Sequence, residues 1–295
     1  MKKMTLQYRI LMIIANIIVI GFLILPLVPV ILGSIQLEKE IQANTTALLP
    51  DSYTLENFKL ILFGGTDREL RLEHLSYLPE NIKTFPNAFL NSVIVGLAGT
   101  VLTLILGSLT AYTIARLRLR WTSVLLQINL VSRMVPLIVL MVPLYVVLRN
   151  LGLLNSLSGI IITEVGLLLP YAIIILTPYF AAFPVSLEDA ARLDGCPRFE
   201  AFLRIILPLS KPALAACGVI MFIISWHELL IPLIIVSKPQ FMTVPVVLAG
   251  LVSDQFVFFT VMMAICLVGL LPTLLLVLLL QKYLVKGLVA GAVKG

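Results

Sequence analysis

Six long apolar runs decide what this chain can fold into. They lie at about 10–33, 87–115, 121–148, 157–182, 212–236 and 257–281. Each reaches the roughly 20 residues that a helix needs to cross the hydrocarbon core of a bilayer. Each is apolar around its circumference rather than on one face, which suits burial in lipid or protein on all sides. The chain as a whole is 60% hydrophobic and 12% charged, against about 25% charged in soluble domains. The expected fold class is an all-α integral membrane protein with six transmembrane helices. The N-terminal run, Ile10 to Leu32, is longer than the roughly 7–15 apolar residues of a signal peptide, and no A-x-A-like site follows. It reads as a retained first span.

Charge assigns the sides. Lys2, Lys3 and Arg9 precede the first run, Arg116, Arg118 and Arg120 follow the second, and Arg192, Arg198, Arg204 and Lys211 lie between the fourth and fifth. Lys282, Lys286 and Lys294 follow the sixth, and the short loops of the alternate side hold only Arg149 and Lys238. Basic residues favour the cytoplasmic side, so both termini and the loop 186–212 are expected there. The net charge of +6 therefore reports topology and membrane lipid, and no nucleic acid partner. The intervening segment 34–86 is expected outside, with Glu38, Lys39, Glu40, Asp67, Arg68, Glu69 and Arg71 of mixed sign and a short helix at Leu55 to Leu62. Three regions result: 1–86, a first span with an extracytoplasmic segment; 87–281, a five-span core; and 282–295, a cytoplasmic tail. Cys196, Cys217 and Cys266 are scattered and support neither a disulfide framework nor a zinc site.

The loop SLEDAARLDGCPRFEAFLRIILPLSKP is built to fold outside the lipid. Ser186 followed by Asp189 has the spacing of a capping box, and Glu188 and Asp189 suit a helix N-terminus. Gly195 suits a C-terminal stop. The spacing predicts a two-turn helix from Leu187 to Asp194, with Leu187, Ala190 and Ala191 on one face where small side chains admit another protein. Pro197 suits the start of a second helix, with Phe199, Phe202, Leu203 and Ile206 as its apolar face, and Pro208 its end. A plain amphipathic connector between two spans would carry the same pattern.

Ala190 and Ala191, Gly195 three residues on, and Ile205-x-Leu207-Pro208 together resemble the EAA loop of binding-protein-dependent ABC importer permeases. Asp189 stands where that family usually has Glu, and the neighbouring Glu188 can share its role. The tail QKYLVKGLVAGAVKG, from Gln281 to Gly295, resembles that of carbohydrate permeases of the family, the smaller permease subunit of maltose transporters in particular; by composition alone it is a basic end held near anionic lipid. The resemblance implies a type I ABC importer permease of a prokaryotic inner membrane. It implies a second, non-identical permease, an ATPase subunit dimer, an extracytoplasmic substrate-binding protein and a carbohydrate substrate, an oligosaccharide or polyol. It implies that Leu187, Glu188, Asp189, Ala190, Ala191, Arg192, Asp194 and Gly195 form the element that couples to the ATPase. ATP and Mg would sit on the partner, with no cofactor on this chain. It further implies that the loop Ser237 to Phe256 faces the binding protein.

Ionisable groups inside spans are costly, so Asn129, Arg133, Glu164, Trp226 and Glu228 are the candidate translocation path. Asn129 lies one turn from Arg133 near the middle of the third run, and Glu164 and Glu228 lie in the outer parts of the fourth and fifth. Two readings stay open for Arg133: a polar wall for cargo, or an ion pair with either carboxylate that fixes helix register. Trp226 can stack on a sugar or anchor a span at the interface, and His227 can relay protons or simply find a hydrogen-bond partner. An ion-coupled secondary transporter using Glu164, Glu228 and Arg133 is the rival reading, and a permease for glycerol-phosphate or another solute is the nearer one. A membrane enzyme or scaffold is weaker. There is no P-loop and no HExxH, the histidines are His74 and His227 only, and a catalytic Ser–His pair would need a membrane Ser such as Ser108 near His227, which nothing else supports.

Overall fold

The computed structural model describes residues 6–43, 49, 51–63, 80–117, 120–252 and 257–292. Lys2, Lys3, Arg118 and Lys294, the charged stretch from Asp67 to Arg71, His74 and the last four residues of the loop Ser237 to Phe256 lie outside the described residues. Among the described residues the regular elements are all helices.

Among the described residues four helices are long and apolar enough to cross a membrane: Gln7–Ile24, Phe85–Arg116, Leu157–Ala181 and Phe259–Tyr283. Two further pairs pass the same test only as bent spans, so the number is four, or up to six if each bent pair is one span. The expected third run is two helices, Thr122–Ser132 and Leu137–Asn150, bent by 98°. Pro136 causes the break: its backbone is extended, with ψ of 131°, and it has no N–H for the preceding turn. The expected fifth run also fails to continue as one helix. Helix Lys211–Trp226 stops, and a separate helix Leu230–Ile235 follows. Glu228 Oε1 accepts from Leu230 N (2.9 Å) and Ile231 N (3.3 Å), capping the new start. On its other side helix Lys211–Trp226 meets Arg198–Leu209 at 77°, with Pro212 in its first turn, where a missing N–H costs nothing. The first run also divides, into Leu6–Ile24 and Leu27–Ser34 around Pro26. The short helix expected at Leu55 to Leu62 is Glu56–Phe63, and the last helix continues past Gln281 to Ala292.

The chain forms two compact units. The first comprises residues 1–86 and 247–270. Here Glu38, 2% exposed, accepts from Phe259 N at 3.1 Å, Thr260 N at 2.9 Å and Thr260 Oγ1 at 2.7 Å. A carboxylate at a helix N-terminus satisfies free amides and complements the helix dipole; this one arrives from a distant part of the sequence. Asn57 Nδ2 donates to Ser34 O and Gln36 O, which holds the same corner.

The second unit comprises residues 87–246 and 271–295. Small residues set how closely its helices approach, as in membrane bundles generally. A Cβ on Gly107 would stand 2.7 Å from Ala172 Cβ, one on Gly96 2.8 Å from the Phe222 ring, and one on Gly218 3.1 Å from Leu104 Cδ1. Helices Phe85–Arg116, Leu157–Ala181 and Lys211–Trp226 therefore meet along glycine seams. Between them lies a core of Tyr112, Leu168, Leu176, Phe180, Phe202, Ile206 and Met221.

Candidate functional site

The loop helix runs Val185–Leu193, so it starts two residues before the expected Leu187. Pro184, with φ of −59° and ψ of 133°, occupies the N-cap position and no side chain caps it. Ser186 lies inside the first turn, so the expected capping box is not formed: a proline with its φ already set begins the helix earlier. The C-terminal stop is as the sequence implied. Gly195 has φ of +83°, Cys196 N donates to Ala191 O (2.9 Å) and Gly195 N to Arg192 O (3.1 Å). These two bonds form a Schellman motif, whose left-handed position favours glycine.

The faces of this helix differ from the expectation. Ala191 is 6% exposed and packs inward, while Ala190, Leu187, Asp189, Arg192, Leu193 and Asp194 face outward. Ala191 therefore does not share an outer face with Leu187 and Ala190. Glu188 also turns inward. Its Oε1 lies 2.8 Å from Arg116 Nε, a close ion pair not aligned as a hydrogen bond, and its Oε2 accepts from Tyr112 Oη at 3.2 Å. Arg116 Nη2 donates to Phe183 O at 2.8 Å. The loop helix is thus fastened to the end of helix Phe85–Arg116, and Asp189 rather than Glu188 presents an acid outward. Asp189 and Arg192 are 3.9 Å apart and half exposed, a contact worth little in water.

The second loop segment adds a plug. Helix Arg198–Ala201 leads into a π-helical turn, Phe202–Ile206, and then Leu207–Leu209. Pro208 does not end this segment. The wider turn before it absorbs the missing N–H, and the chain bends only at Ser210. Phe202 lies 4.6 Å from Tyr112 and 6.1 Å from Phe180, ring centre to ring centre. Phe202 and Ile206 are buried, whereas Phe199 and Leu203 are 62% and 44% exposed; the expected four-residue apolar face is split between core and surface.

The loop that follows Leu230–Ile235 is pinned at its base. Asn91 Nδ2 donates to Gln240 O and Met242 O, both at 2.9 Å. Ser92 Oγ accepts from Val244 N, and Asn155 Oδ1 from Ser237 N and Lys238 N. Asn155 adopts φ of +52°, a conformation that asparagine tolerates better than most side chains.

A cavity of about 310 Å³ opens beside the break at 133–136. Arg133, Glu164, Tyr171, Ser225 and Glu228 line it, with apolar neighbours such as Leu140 and Ile231. Three of the five candidate path residues therefore meet here. Arg133 pairs with neither carboxylate: its guanidinium sits 3.5 Å above the Tyr171 ring and Nη1 donates to Leu167 O at 2.9 Å. Glu164 Oε2 accepts from Ser225 Oγ. Asn129 and Trp226 do not line the cavity. Trp226 is 3% exposed, stacked on Phe222 and edge-on to Phe89, so it is a core residue and offers no face to a sugar. Among the described residues no cluster could hold a metal. The sequence did not single out Tyr112, Tyr171 or Ser225, and valued Arg116 only for topology. Arg116 one turn after Tyr112 was the signal, a polar pair at the end of an otherwise apolar run.

A family model described as "binding-protein-dependent transport system inner membrane component" matches residues 77–289. The chain is 31% identical over 271 residues to a sulfoquinovosyl glycerol transport system permease protein of Agrobacterium fabrum, covering 92% of this chain and 88% of that one. It is 31% identical over 240 residues to a trehalose transport system permease protein of Mycobacterium tuberculosis, covering 81% and 80%. In fold it is similar to a chain from the crystal structure of a bacterial ABC transporter involved in the import of the acidic polysaccharide alginate. The TM-score is 0.73 at 22% identity, over 96% of this chain and 99% of that chain.

Proposed function

This chain belongs to the family of binding-protein-dependent transport system inner membrane components, and from that premise we propose how it works as a carbohydrate permease. It is a multi-pass inner-membrane transport protein, and the relatives named above serve sulfoquinovosyl glycerol and trehalose. Its cargo is a carbohydrate delivered by an extracytoplasmic binding protein. A second, non-identical permease completes the path, and an ATPase dimer binds ATP and Mg and hydrolyses the nucleotide. Both termini and the loop helix lie in the cytoplasm.

The observation that carries this mechanism is the double fastening of helix Val185–Leu193. Its inward side is held by the Glu188–Arg116 ion pair and its trailing segment by Phe202 among Tyr112 and Phe180. A push on its outward side then moves helix Phe85–Arg116 as a rigid body rather than bending a loop. That outward side, Leu187, Asp189, Ala190, Arg192, Leu193 and Asp194, with Gly195 closing the helix, is the surface offered to the ATPase. Leu193 is 89% exposed, an apolar side chain with a natural place in a partner's cleft. Arg133, Glu164 and Glu228 form a polar wall on the cargo's route, and the pinned loop from Ser237 onward faces the binding protein.

Uptake of radiolabelled sugar into proteoliposomes holding the permease pair, the ATPase and the binding protein tests the proposal. Uptake should require ATP and the binding protein. Uptake driven by an ion gradient without ATPase would instead favour the secondary-transporter reading.

A further inference from the structure

The cavity at the helix break holds hydrogen-bonding capacity that the protein itself leaves unused. Glu164 is 2% exposed. One of its oxygens accepts from Ser225 Oγ, and the other, Oε1, is buried without a hydrogen-bond partner. Buried carboxylate oxygens are ordinarily satisfied, because an unmet acceptor carries its full desolvation cost. The other polar groups of the wall are held by their own scaffold. Tyr171 and Leu167 O fix the Arg133 guanidinium, which has five N–H donors and so keeps some to spare. Leu230 N and Ile231 N fix Glu228 Oε1. Fixed donors and acceptors around a cavity are what a binding site needs before its ligand arrives. Interrupted helices and ionisable side chains inside a membrane protein are tolerated where they line a cavity.

We infer that this cavity is a sugar subsite on the subunit itself, in which Glu164 accepts from a ring hydroxyl, Arg133 donates to one, and the preferred cargo unit is a single uncharged pyranose. The inference rests on the permease reading above. A hydroxyl both donates and accepts, so adjacent ring hydroxyls satisfy Glu164 and Arg133 together. A carboxylate or sulfonate accepts only: it could engage Arg133, but it adds a negative charge to a cavity already lined by Glu164 and Glu228, where like charges repel strongly. The volume of about 310 Å³ is at the lower end of the roughly 300–1,000 Å³ typical of small-ligand pockets. It therefore suits one ring at a time rather than a whole oligosaccharide.

Equilibrium dialysis on the assembled transporter in nanodiscs, without binding protein, tests this. The probes are matched pairs that differ at C6: glucose with glucuronate, and galactose with galacturonate. At least one neutral sugar should bind more tightly than its uronate. Glu164→Ala should weaken that binding about tenfold or more, as expected for loss of a bond to a charged group, and Glu164→Gln, which keeps an acceptor, should weaken it less. If Glu164→Ala does not assemble, Ser225→Ala, which frees the carboxylate to turn, should also reduce affinity. Failure of both neutral sugars to bind, tighter binding of the uronates, or unchanged affinity in the assembled variant overturns the subsite. ATP-driven uptake by the unmodified complex is read in parallel. ATP-dependent uptake with variant-independent dialysis removes the subsite and leaves the permease reading; ATP-independent uptake removes the permease reading itself.

Discussion

Arg116 at the end of one membrane helix and Glu188 in the loop helix form a buried ion pair, with Nε and Oε1 2.8 Å apart and side chains 8% and 12% exposed. Removing one partner of such a pair leaves an uncompensated buried charge, at a cost of about 3–5 kcal/mol. Glu188→Ala and Arg116→Ala should each lower the detergent melting temperature and reduce uptake more than they reduce ATP hydrolysis by the complex. Parallel loss of uptake and hydrolysis, with normal melting, would count against the pair as a mechanical link.

Gly195 should be sensitive for a backbone reason. At φ of +83° a side chain costs about 1–2 kcal/mol, yet a Cβ there meets nothing within 4 Å. Gly195→Ala should therefore leave insertion and yield intact while fraying the Schellman end of the loop helix. Gly195→Arg adds bulk on the outward side and should abolish transport and copurification of the ATPase. Copurification at wild-type levels in Gly195→Arg would sink the docking assignment.

The helix break separates two residues that look equivalent in sequence. Arg133 lines the cavity and Asn129 does not. Arg133→Leu should change which sugars are taken up, whereas Asn129→Leu should leave cargo range as it is. A competition assay with a panel of unlabelled sugars reads both; altered range in Asn129→Leu alone would reverse the assignment.

Asn91 pins the loop base through two carbonyls. Asn91→Leu leaves both without that donor, a penalty of about 1–3 kcal/mol. Amide exchange over residues 236–244 should quicken in this variant, while exchange over Leu157–Ala181 should not. Unchanged exchange in the loop would mean that Ser92 and Asn155 hold it without Asn91.

Trp226 illustrates what one dimension hides. Beside His227 and Glu228 it reads as a sugar platform or an interfacial anchor, but its ring is enclosed by Phe89 and Phe222. The composition of the triplet is informative and the direction of each side chain is not. Glu188 is the converse case: as one of two adjacent acids at a helix start it looks like a surface group, and only its neighbours Arg116 and Tyr112 reveal an anchor.

The sequence by itself determined that lipid is the solvent for most of this chain, where most of its membrane helices lie, and that a glycine-terminated helix sits between two of them. These properties follow from local apolar length and from backbone preferences of single residues, which need no partner. The tertiary structure decided where the spans break, which face of the loop helix is free, and which polar groups meet. Pro136 and Glu228 interrupt apolar runs that hydropathy reads as continuous. The Glu188–Arg116 pair and the cavity holding Arg133, Glu164 and Glu228 join residues far apart in the chain, and distance in space is set by packing along glycine seams rather than by order in sequence.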